Sequence, residues 1–205
     1  MRYAFLISVI VVALSTASAQ ILPEIDPLPS GMTVERLESH EPWKSPRSFR
    51  GVDFGSNEST ASKVLGQLKC QGQKIGETGA RICTPSEKNR LMKIDDVIVR
   101  DTYCFVEDKL VRVVINPLRY NDPTLAEPNP QLDSVLAAFR ERYGTPTLIL
   151  RKETPQNGRW STFQWMDDKL RVTILGDGLG GFADAEIVTA EWLRNFRPAR
   201  STTPF

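Results

Sequence analysis

Two stretches sixty residues apart carry one pattern, and they restrict the fold more than anything else in the chain. Phe105-Val106-Glu107-Asp108-Lys109-Leu110 matches Trp165-Met166-Asp167-Asp168-Lys169-Leu170 in an aromatic, an acidic pair, a lysine and a leucine. Runs rich in β-branched and aromatic residues flank each acidic pair, 97–106 with 109–116 and 160–166 with 169–175. Acidic side chains bond nearby backbone N–H groups and tolerate left-handed dihedrals, so each stretch predicts a β-hairpin. Hairpins pair antiparallel, which points away from a parallel, crossover-built sheet.

Helical spacing marks what covers that sheet. Asn129 as cap, Pro130 in the first turn and an apolar stripe of Leu132, Val135, Leu136, Phe139 and Tyr143 predict a helix that Gly144 and Pro146 end. A shorter helix is expected after a strand over 48–54, capped by Ser56, striped by Val64, Leu65 and Leu68, and stopping near Cys70. Runs 147–150 and 185–192 read as further strands. A Val-Leu pair on each helix (Val64-Leu65, Val135-Leu136) precedes its hairpin, which suggests two copies of a helix-plus-hairpin unit. The expected class is therefore α+β, an antiparallel sheet of hairpins packed against two helices.

The first nineteen residues give an expected address. Arg2, the apolar run from Tyr3 to Leu14, and Ala17-Ser18-Ala19 form the pattern of a secretory leader cut before Gln20. About a dozen apolar residues fall short of the ~20 that span a bilayer, and no cysteine stands at the cut for lipid attachment. Residues 20–46, with Pro23, Pro27, Pro29 and Pro42, read as a flexible leader; 47–196 reads as the folded domain and 197–205 as a loose tail. Export to a periplasm or the exterior makes thiols prone to pairing. Cys70 with Cys83 is the expected disulfide, across a polar, glycine-containing stretch, and Cys104 is then a buried thiol; pairing of Cys83 with Cys104 stays open.

Phe49-Arg50-Gly51-Val52-Asp53-Phe54-Gly55, the two aromatic-x-x-Asp-Lys-Leu turns, and Arg142-Tyr143-Gly144-Thr145-Pro146 give the chain a resemblance. It resembles small exported bacterial proteins of unassigned role and, more loosely, the helix-and-sheet repeats of the β-lactamase-inhibitor protein and the small-protein-A-type envelope lipoproteins. The resemblance implies a shared fold over residues 48–192 and action by binding other proteins. It supplies no catalytic residue.

Few residues invite chemistry. The 26 basic and 25 acidic side chains nearly cancel, so net charge draws the protein to neither nucleic acid nor an anionic membrane. His40, the single histidine, lies in the proline-rich leader, away from any partner for nucleophilic catalysis. Asp95-Asp96 and Asp167-Asp168 suit turns better than a shared-proton pair, yet they support an alternative reading as a small carboxylate-based hydrolase. Gly176-Asp177-Gly178-Leu179-Gly180-Gly181 supports another, a small-ligand or ion site using Asp177 and Asp184. Trp160, Trp165, Trp192, Arg194, Arg197 and Arg200 are of the types that anchor interfaces, with Trp165 better placed for the core. The expected function is a non-catalytic accessory protein without a cofactor, binding an envelope protein through Trp160, Arg194, Asp177 and Asp184.

Overall fold

The computed structural model describes residues 32–36, 43–75, 78–86, 89, 91–95, 97–118, 132–154, 158–176 and 181–195. Their order is β1 (Met32–Arg36), β2 (Ser48–Phe49), β3 (Val52–Asp53), α1 (Glu58–Leu65), β4 (Leu68–Ile75), β5 (Thr78–Pro85), β6 (Leu91–Ile94), β7 (Val97–Val106) and β8 (Lys109–Pro117). There follow α2 (Leu132–Tyr143), β9 (Leu148–Thr154), β10 (Gly158–Met166), β11 (Leu170–Gly176), β12 (Phe182–Thr189) and α3 (Ala190–Asn195). Ten strands join in one antiparallel sheet running β1-β9-β10-β11-β12-β8-β7-β5-β4, with β6 also on β7, while β2 and β3 make a separate small hairpin. The expected α+β class is thereby corrected. The described residues are mostly β, and the three helices among them are short beside the sheet.

The strand register explains why one face buries so well. A single row crosses the sheet from Cys70 through Cys83, Tyr103, Val113, Ile187 and Val172 to Trp165. From Cys83 onward every member of that row is fully buried. Side chains two residues apart share a face, so the row Asp101, Ile115, Ala185, Ile174, Phe163 lies beside it. Ala61 and Leu65 of α1, the α2 stripe, and Phe49 and Val52 of the small hairpin complete this core. Burying each Val or Ile of the row contributes about 1.5–3 kcal/mol. The opposite face carries a smaller cluster, in which Trp192 of α3 packs with Ala80, Cys104, Val106, Val111 and Val188.

The second helix forms as its stripe predicts. Leu132, Val135, Leu136, Phe139 and Tyr143 are all buried, and Gly144, at φ 85°, takes the left-handed turn that ends it. Gly176 on β11 leaves room for the Leu132 side chain, because a Cβ there would come to 2.5 Å of Leu132 Cδ2. The first helix differs from expectation at both ends. Asn57, not Ser56, caps it by accepting from Thr60 N, and it stops at Leu65, leaving Val64 exposed. Cys70 consequently lies on a strand.

Two other expectations change. The region 20–46 contributes β1, which pairs with β9 from Met32 opposite Lys152 to Arg36 opposite Leu148. Run 185–192 is strand to Thr189 and helix beyond. The two matched hairpins also differ in build. Val106 pairs with Lys109 across a two-residue loop in which Glu107 (φ 50°) and Asp108 (φ 57°) are both left-handed. Met166 instead pairs with Arg171, leaving four residues in the second turn. In the sheet the two hairpins flank β12, the first through β8 and the second through β11.

Candidate binding groove

The two turns, different in build, converge on one groove. Asp167 fixes its own turn, its Oδ1 accepting from Lys169 N and Leu170 N at 2.7 Å each. Lys169 O in turn accepts from Ala190 N at 2.7 Å, and Thr189 Oγ1 accepts from Trp192 N, which together start α3 beside the turn. At the other turn, Asp108 Oδ1 accepts from Glu58 N at 3.1 Å. Backbone bonds between Leu110 and residues 55–56 bind the same turn to the segment leaving β3. The small β2–β3 hairpin closes the wall, anchored where Arg50 Nη1 meets Asp101 Oδ2 at 2.8 Å and Asn89 O at 2.9 Å. Tyr103 donates to the same Asp101 oxygen at 2.7 Å.

The groove so formed has a volume of ≈ 800 Å³. Its floor is apolar, from Pro46, Phe54, Leu110, Val111 and Leu170. Charges of both signs also line the groove, Arg47, Lys109, Lys169 and Arg194 with Asp53, Asp167, Asp168 and Glu191. Pro46, Leu110, Val111 and Leu170 of that floor are already buried within the fold, so Phe54 and the charged side chains are what the groove presents to solvent.

Of the residues expected to bind, Arg194 lines this groove, exposed near the end of α3. Asp184 is on β12, five residues before Thr189 and so about 17 Å back along the strand, and does not share the groove. Trp160 stands on β10 opposite Lys152; its side chain, Asp177 and the rest of loop 177–180 lie outside the described residues, as do His40, Arg197 and Arg200. Trp165 is fully buried, with Nε1 donating to Gly144 O at 2.8 Å. Asp95 sits at φ 54° in the turn between β6 and β7, and Asp96 is outside the described residues. Sequence reading missed Arg47, Asp53 and Phe54, whose place on the wall follows from the β2–β3 hairpin. Lys109 carried a usable signal, since the matched turns singled it out together with Lys169.

Cys70 and Cys83 form the expected disulfide, though as directly opposed residues of β4 and β5 and not as the ends of a bent loop. Cys104 is free and buried, and burial raises its thiol pKa to about 11. On the face away from α1 and α2, Glu186 accepts from Arg112 Nε and lies 3.8 Å from Arg171 Nη2, across the seam where β8 meets β12.

No protein-family profile matches the chain, and no curated protein sequence matches it. Among solved structures it is similar to a cysteine-rich secretory protein from Staphylococcus aureus subsp. aureus Mu50, at 10% identity and a TM-score of 0.37. The similarity covers 71% of this chain and 47% of that one, so the chain spans about half the length of that structure.

Proposed function

We propose that this is an exported, non-catalytic accessory protein that binds another protein of the bacterial envelope through the groove between its two hairpin turns. The observation that carries the reading is the convergence of Lys109, Asp167, Asp168, Lys169 and Arg194 around one apolar floor. These residues come from three separate elements. The carboxylate of Asp167 already accepts two backbone N–H groups of its own turn, which favours a structural role over acid-base work. The disulfide suits an oxidising compartment, as the leader pattern of residues 1–19 does. The motif resemblance to proteins that act by binding proteins points the same way.

Reversing charge in the groove tests the reading. Lys169→Glu with Arg194→Glu changes two exposed side chains, neither of which fills the core. Crosslinking the tagged protein in its native host is expected to yield a discrete adduct with the wild type and at least a tenfold weaker one with the double variant, at unchanged thermal midpoint. Equal adduct yields from both proteins would overturn the assignment of the groove.

A further inference from the structure

We propose that Glu58, Cys70 and Cys83 form a zinc site that the disulfide keeps closed and that reduction opens. The two sulfurs face each other from β4 and β5, and a Glu58 carboxylate oxygen lies over them from the first turn of α1. All three donor atoms fall within 4.8 Å of one another. A tetrahedral zinc shell with two sulfurs and a carboxylate oxygen spaces its donors by about 3.5–3.8 Å, so small side-chain shifts suffice to close the shell once the sulfurs are no longer bonded.

The surroundings hold this arrangement in place. Asn57 caps the helix, and Asp108 takes the Glu58 N–H, so the position of Glu58 is fixed from two sides. Arg81 lies two residues from Cys83 on the same face of β5 and grips both Glu58 oxygens, from Nε at 2.6 Å and Nη2 at 3.2 Å. Arg81 is itself largely exposed, so its fork can swing toward solvent when a cation takes one carboxylate oxygen. Two thiolates and a carboxylate around zinc carry one net negative charge, which the nearby guanidinium offsets. A cavity of ≈ 590 Å³ lined by Glu58, Gly79, Arg81, Phe105 and Asp108 opens on the carboxylate side of the three donors, with neither cysteine in its wall.

The opening step is thiol–disulfide exchange with a dithiol reductant. One reductant thiolate attacks a sulfur of the Cys70–Cys83 bond, forming a mixed disulfide and freeing the other cysteine. The second reductant thiol then displaces the first cysteine and leaves as a disulfide, so two electrons pass to this chain and both cysteines become thiols. Zinc binding releases their two protons to solvent. In the oxidised protein the sulfurs are spent in their own bond, and the site is closed.

The test uses the mature full-length chain, oxidised or reduced by a resin-bound dithiol that is then removed, with Zn²⁺ alone as probe in competition with a chelating indicator. The reduced protein is expected to take up one zinc per chain and the oxidised protein less than a tenth of that. E58Q is expected to weaken uptake by the reduced protein at least tenfold, and C104A to leave it unchanged, which separates this site from the third thiol. Near-UV circular dichroism follows the fold of each sample. The proposal is overturned if the reduced protein binds no zinc, if E58Q binds as tightly as wild type, if the oxidised form binds equally, or if reduction abolishes the near-UV signal.

Discussion

Asp101 is fully buried in a strand otherwise lined by Val97, Val99, Tyr103 and Phe105, and two donors hold it there. Arg50 and the Tyr103 hydroxyl share its Oδ2, so removal of the carboxylate strands both. Asp101→Ala should therefore cost about 3 kcal/mol in urea unfolding, the low end for a broken buried pair because Arg50 is about a quarter exposed. A loss under 1 kcal/mol would show that the hairpin is anchored by other contacts. Burial, reinforced by the Asp101 charge, holds the Tyr103 hydroxyl far above its ordinary pKa, and burial raises the Cys104 thiol from 9.0 to about 11. A group with a raised folded pKa binds its proton more tightly when folded. Its contribution is whole below the unfolded pKa and is lost as pH rises through the folded one. Between pH 9 and 11 the wild type should thus lose about 2 kcal/mol more than Cys104→Ala, read from urea midpoints at each pH. Parallel pH curves would contradict the thiol's burial. At this scale the Cys70–Cys83 pairing was legible from the sequence, whereas Asp101 was not. An aspartate in a strand ordinarily faces water, and the arginine that compensates it lies 51 residues away.

Among the elements, α2 was the most legible, because burial along one stripe demands the spacing that the residues show. Phe139 sits at its centre, with ring centroids 5.5 Å from Tyr143 and 6.2 Å from Trp165. Phe139→Ala should cost about 3–5 kcal/mol, against about 1 kcal/mol for Asn57→Ala at the cap of α1, both from urea denaturation; comparable losses would contradict the ranking. The edge hairpin β4–β5 was illegible for a physical reason. Lys69, Gln71, Gly72, Gln73 and Lys74 of β4 are exposed, as suits an edge strand that must resist pairing with another chain, and their polarity reads as loop. β1 was hidden in the same way, since a five-residue strand in a proline-rich region has little periodicity to show. Pairing with β9 supplies the order that its own composition does not.

Over the whole molecule, two helix-led series of strands end side by side, β8 on β12, and their residues form one continuous core. The two ends of the chain's hairpins thereby meet. Lys109 and Lys169 lie sixty residues apart in sequence, and the β8–β12 pairing that brings them to one groove leaves no periodicity to read. The hairpins themselves were visible in the sequence, but their meeting was not, and neither was the wall made by Arg47, Asp53 and Phe54. Partner binding at that groove is most directly tested by a photo-crosslinking amino acid placed at Lys169 and, separately, at Gln73 on the exposed edge strand, with the protein expressed in its native host. A discrete protein adduct from position 169 and none from position 73 is predicted. No adduct from position 169, or the same adducts from both positions, would contradict the groove as the place where this protein acts.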